Sequence, residues 1–220
     1  MIIFKYIVGL WMVLVITAAF LYAPPAMGLG DLARIIVFHV PLAWVGGLAY
    51  FVSMLNSIRY LRQGFLCYDQ KAAVNAQIGF VFTILATVTG AIFARFTWGM
   101  YWNWDPRQTS IFVLLLIYGA YFALRSAVED DDKRARLASV FSIFAFISVP
   151  FLVFIIPRVY ATLHPDPLIS FESGFQMDPK MFQVFIASLV GFTGIYIWVA
   201  DLSYRFLQLK SKVEVETSDV

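Results

Sequence analysis

Residues 137–157 read LASVFSIFAFISVPFLVFIIP, without a single Asp, Glu, Lys or Arg. A helix needs roughly 20 apolar residues, at about 1.5 Å rise each, to cross the hydrocarbon core of a bilayer. This stretch is long enough, and five other uncharged windows accompany it: Tyr6–Gly30, Ile35–Ile58, Ala72–Ala94, Gln108–Leu124 and Met181–Ala200. The fourth of the six, Gln108–Leu124, is short, and Arg125 is expected to extend it by snorkelling. Only helices and closed barrels satisfy their backbone groups in lipid, and the period-2 alternation of barrel strands is absent. The fold expected is therefore an all-α integral membrane protein with six transmembrane helices.

Composition agrees. The 220-residue chain is 61% hydrophobic and 14% charged, with a mean hydropathy of +0.78. Soluble domains run near ~45–50% apolar and ~25% charged, so lipid must solvate much of this surface. A net charge of +2, with basic residues scattered between apolar segments, gives no nucleic-acid footprint. A lone Cys67 excludes an intrachain disulfide and C-x-x-C dithiol chemistry. No phosphate-binding loop, G-x-S-x-G or H-E-x-x-H is present. The apolar run at the N-terminus exceeds a signal-peptide core, and Pro24-Pro25 reads as a helix stop rather than a cleavage site.

With the N-terminus inside, eleven of the sixteen Lys and Arg residues fall on inner segments and five on outer ones. The positive-inside rule then places both termini in the cytoplasm. Residues 1–204 read as a single six-helix membrane domain and 205–220 as a cytoplasmic polar tail, expected to fray. Residues 129–134, EDDDKR, read as a solvated charge run. The outer segments Met27–Arg34, Arg95–Thr109 and Arg158–Lys180 hold the distinctive residues.

One of them reads Thr97-Trp98-Gly99-Met100-Tyr101-Trp102-Asn103-Trp104-Asp105-Pro106-Arg107-Gln108-Thr109-Ser110. Interfacial aromatics often form only a belt, but three Trp within seven residues could instead offer a flat apolar platform for a planar ligand. Asp105, Pro106 and Gln108 suit the N-cap, N1 and N3 positions of a helix. Arg107 in the first turn opposes the helix dipole, so an anionic partner is expected, either Asp105 or a ligand carboxylate. The two histidines, His39 and His164, fall on the same expected side as this segment. Either can be an ordinary residue, a buried neutral imidazole or a loop side chain; together they could ligate an iron porphyrin axially. Arg34, Arg95 and Arg158 read as snorkelling anchors, and Asp31, Asp166 and Asp178 as outer carboxylates without an evident partner.

Trp98-Gly99, Trp102, Trp104-Asp105, Arg107 and Thr109 together resemble the WWD signature of the cytochrome c assembly family. Size, the six windows, and the His39-Val40-Pro41 and Thr162-Leu163-His164 contexts are similar to its CcmC branch, while Pro106 after the aspartate is closer to the CcsA branch. The resemblance implies heme b bound transiently at the outer face of a bacterial inner membrane, facing the periplasm. Trp98, Trp102, Trp104, Asp105 and Arg107 would cradle it, and His39 and His164 would be the metal ligands. It implies handing heme to a membrane heme chaperone, CcmE, beside the ABC transporter subunits CcmA and CcmB and the small membrane protein CcmD. No enzymatic step is implied. The absence of C-x-x-C-H argues against covalent attachment. Two other readings stay open at this point: a b-type cytochrome exchanging electrons with a quinone, and a cofactor-free permease subunit.

Overall fold

The computed structural model describes residues 2–163, 169–170, 174–175 and 177–218. Helix α1 covers Ile2–Leu21, α2 Ile36–Gln63, α3 Leu66–Trp98, α4 Pro106–Ala127 and α5 Asp131–Pro150. A π-helical turn, Phe151–Ile155, and the short α6, Ile156–Val159, continue α5, and α7 covers Pro179–Ser218. A 3-10 turn, Asp31–Ile35, leads into α2, and a two-residue antiparallel ribbon pairs Ile169–Ser170 with Gly174–Phe175. Six helical segments are long and apolar enough to cross a membrane, with α5 to α6 acting as one. Alternating crossings put the segments before α2, between α3 and α4, and between α6 and α7 at one end of the bundle.

The helix boundaries have local causes. The chain leaves α1 at Leu21, ahead of the Pro24-Pro25 stop. Gly64 and Gly99 end α2 and α3 with φ of +74° and +80°, a left-handed conformation that glycine adopts without steric cost. Asp130, from the apparent charge run, is the N-cap of α5 and accepts a hydrogen bond from the Lys133 N–H at 2.7 Å. Asp178 likewise accepts from the Lys180 N–H at 2.8 Å where α7 begins. The tail expected to fray is helical: α7 continues to Ser218, with Arg205 paired to Asp201 one turn back at 3.0 Å.

Helices α2 and α3 form the central antiparallel pair, with α7 and then α1 on one flank and α5 and α4 on the other. Lipid gives apolar side chains little reason to associate, so small residues that allow close approach decide the packing. A Cβ on Gly79 would stand 2.6 Å from the Tyr50 ring, which fills that notch and stacks on Tyr118 of α4 at 3.5 Å between centroids. At the opposite end from the tryptophans, Arg125 does not snorkel. It donates to both carboxylate oxygens of the buried Asp69 at 2.6 and 2.8 Å, joining α4 to α3.

Pro41 lies inside α2 and has no N–H for the carbonyl of Val37, four residues back. An unpaired carbonyl is costly where no water can reach it. The hydroxyl of Ser188, fully buried on α7, donates to that carbonyl. The proline break thereby fastens α7 to the first turns of α2, the turns that carry His39.

This pairing makes a double-mutant cycle informative. Ser188→Ala is expected to lower stability by about 1–3 kcal/mol in the natural chain. In a Pro41→Ala background, where an N–H can again reach Val37, the loss should fall to roughly 0.5 kcal/mol. Denaturation of the detergent-solubilised variants measures both, and equal losses in the two backgrounds would refute the coupling.

Candidate heme-binding site

The tryptophan segment is a short connection between two helix ends, and its own polar groups shape it. Asp105 is the N-cap of α4: its Oδ1 accepts from the Arg107 N–H at 2.9 Å, with Pro106 at the first helical position. Gln108, buried one turn in, accepts from the Asn103 N–H at 2.9 Å and donates to the Tyr101 carbonyl at 3.3 Å. The Thr109 hydroxyl donates to the Trp104 carbonyl at 3.1 Å. These bonds fold residues 101–105 over the start of α4 and hold Trp104 at φ +59°. Side chains with a Cβ rarely occupy that region.

Asp105 also reaches across the bundle. The Thr162 hydroxyl lies 2.9 and 2.8 Å from its two carboxylate oxygens, and the Leu163 N–H donates to Oδ2 at 2.7 Å. The carboxylate is 5% exposed and serves the cap and the far segment at once. Thr162-Leu163 directly precede His164 in the sequence. The structure therefore joins two of the predicted site segments through one anion. His164 itself lies outside the described residues, as does Asp166.

The rings do not form the expected flat platform. Trp102 and Trp104 meet edge to face, centroids 5.7 Å apart and planes at 90°, and both pack edgewise on Phe112 of α4. Trp98, at the end of α3, packs perpendicular to Phe93. The result is a corner of apolar faces, with Trp104 65% exposed at its rim.

His39 lies in the first turns of α2, part-buried against α3. Its Nδ1 is 3.0 Å from the Thr89 hydroxyl oxygen. A Cβ on Gly90 would stand 2.9 Å from its Cε1. Thr89 is nine residues before Trp98 on α3, about 14 Å along the helix axis. Neither Thr89 nor Gly90 carried a signal in the sequence, since they follow His39 by some fifty positions.

The outer cations sort by their partners. Arg34 pairs with Asp31 at 3.0 Å and donates to the Ala23 carbonyl at 3.3 Å. Arg95 caps the end of α3 by donating to the Gly99 carbonyl and lies over the Tyr101 ring. Arg158 donates to the Phe154 carbonyl at 2.8 Å. All three are tied to backbone carbonyls close to them in sequence. Arg107 is the second residue of α4, three positions after Trp104 in the chain. Among the described residues no group of three His, Cys, Asp or Glu side chains forms a metal site.

The left-handed Trp104 gives a stability test. Trp104→Gly and Trp104→Ala both delete the indole, but only glycine relaxes the backbone. Trp104→Gly is expected to be more stable than Trp104→Ala by about 1 kcal/mol in thermal unfolding, the reverse of the usual order. A less stable glycine variant would contradict the strained conformation.

The family model for heme exporter protein C matches residues 1–218. The chain is 31% identical to the heme exporter protein C of Bradyrhizobium diazoefficiens over 191 residues, covering 87% of this chain and 72% of that one. It is 32% identical to the heme exporter protein C of Escherichia coli K12 over 172 residues, 78% of this chain and 68% of the relative. A cytochrome c biosynthesis ccmC-like mitochondrial protein of Arabidopsis thaliana is 32% identical over 170 residues, 76% of this chain and 63% of the relative. With a match along almost its whole length, and the tryptophan segment built as described, the chain belongs to the heme exporter protein C family.

Proposed function

We propose that this chain is a heme-handling membrane protein of cytochrome c maturation that holds heme, its cargo, at the end of the bundle carrying the tryptophan segment. The observation that carries this reading is the Asp105 carboxylate, which binds the tryptophan segment, the Thr162 hydroxyl and the Leu163 backbone into one unit. Family membership supports the cargo, and the six spans support a multi-pass membrane setting.

His39 and His164 are the axial ligands, and heme supplies the iron they bind. Trp98, Trp102 and Trp104 offer apolar faces to the porphyrin. Arg107 takes a propionate, for which a guanidinium is well shaped. Asp105 acts on the fold of the site rather than on the cargo, because its oxygens are already occupied by Arg107, Thr162 and Leu163. The heme is heme b, bound without a covalent link and released again. No bond in the cargo is made or broken, so the role is binding and transfer rather than catalysis. Both termini face the cytoplasm of a bacterial inner membrane, and the site faces the periplasm, in keeping with the excess of Lys and Arg on the opposite end. There the membrane heme chaperone CcmE takes the cargo, with CcmA and CcmB supplying the nucleotide chemistry this chain lacks and CcmD completing the assembly.

The absorption spectrum of the detergent-purified chain tests this. A Soret band is expected in the wild type, shifted or lost in both His39→Ala and His164→Ala. A band unchanged in both variants would remove the axial assignment, and no band after heme supplementation would remove the heme reading.

A further inference from the structure

His39 has a built environment on α3 that assigns its ring atoms. Thr89 has one hydroxyl hydrogen. Its Oγ1 lies 2.9 Å from the Leu85 carbonyl and 3.0 Å from the Ala86 carbonyl, within its own helix. A threonine hydroxyl in a membrane helix gives its hydrogen to the preceding turn in this way. With the hydrogen directed to those carbonyls, the oxygen keeps a lone pair for the imidazole Nδ1, 3.0 Å away. An Nδ1–H in this arrangement places the lone pair of the neutral ring on Nε2.

The seat is as specific as the hydrogen bond. Gly90 presents bare backbone to the ring, since a Cβ there would approach Cε1 to 2.9 Å, closer than real Cβ atoms come. The backbone beneath His39 is also held, through the Ser188 bond to the Val37 carbonyl. The Nδ1 of the ring, its Cε1 edge and the backbone beneath it each meet a different neighbour.

We propose that Thr89 and Gly90 are positioning residues for His39. Thr89 selects the Nδ1–H tautomer so that Nε2 is the atom offered to iron, and Gly90 provides the space that sets the ring's depth. The iron half of this statement rests on the proposed function; the tautomer half does not. Ligating imidazoles generally donate their second ring N–H to a fixed acceptor, which settles orientation and raises basicity. A carboxylate would raise it most. A neutral hydroxyl raises it less, which suits a ligand that must let its cargo go.

The test has two parts. The full chain carries two histidines, so ring-15N labelling of a His164→Ala protein leaves His39 as the sole imidazole signal. Before any heme is added, nitrogen NMR is expected to show a protonated Nδ1 and an unprotonated Nε2. Thr89→Val should give a mixture of tautomers, and Thr89→Ser should preserve the single form. Hemin titration of the chain with both histidines present should then show affinity weakened about tenfold or more in Thr89→Val and Gly90→Ala. Thr89→Ser should bind like the wild type. A protonated Nε2 in the wild-type ring overturns the proposal even if Thr89→Val fails to fold. So does a tautomer unmoved by Thr89→Val, or a hemin affinity that Thr89→Val leaves unchanged. If His39 shows the expected tautomer but hemin does not bind through it, the proposed function fails while the tautomer assignment stands.

Discussion

One carboxylate does three jobs at the end of the bundle that carries the tryptophans. Asp105 accepts from the first turn of its own helix and from both the side chain and the backbone of the segment that follows α6. A carboxylate that is 5% exposed would be expensive without such donors. With them, each bond is charge-assisted and contributes roughly 1.5–3 kcal/mol. The aspartate of the signature is thus explained by folding. Loss of its charge would remove the bonds that tie the tryptophan segment to Thr162 and Leu163.

Below that end, the bundle meets the demands of a solvent that forms no hydrogen bonds. Backbone and buried polar groups must find partners inside the protein. The Val37 carbonyl finds Ser188, Ser53 donates to the Ala72 carbonyl, and Asp69 finds Arg125. Small residues let these partners come close: Gly79 admits the Tyr50 ring, and Gly90 admits His39. Pro150 leads α5 into a π-helical turn just before the segment that runs to Thr162, so the fifth crossing departs from regular α-helix as it nears the site. Helices α2 and α4 carry His39 and Arg107, while the Thr162 segment follows the π-helical turn and α6 and is held by Asp105.

Much of the fold was legible because lipid makes a simple demand. Windows free of charge, such as 137–157, became helices, and the cap at Asp105-Pro106 formed where the residue types required. What stayed hidden depended on partners distant in sequence. Arg125 read as a snorkelling anchor because Asp69 lies 56 residues away and sits 6% exposed inside α3. The charge run at 129–134 concealed an N-cap. A flat platform of tryptophans was a reasonable expectation from spacing, but ring angles follow from Phe112 and from the backbone turn at Trp104, which spacing does not encode. Likewise, His39 was visible as a candidate ligand, whereas the Thr89 hydroxyl beside its Nδ1 was not.

The role of Asp105 can be separated from its role as a helix cap. Asparagine caps a helix about as well as aspartate. It would, however, turn an NH2 group toward the Leu163 N–H, replacing an acceptor with a donor. Electron paramagnetic resonance of the ferric heme-loaded chain reads the consequence directly. The wild type should give a low-spin signal from two axial imidazoles. Asp105→Asn, folded but unstapled, should give a high-spin signal as the His164 ligand is lost. A low-spin signal that survives Asp105→Asn unchanged would contradict the claim that this carboxylate assembles the heme site.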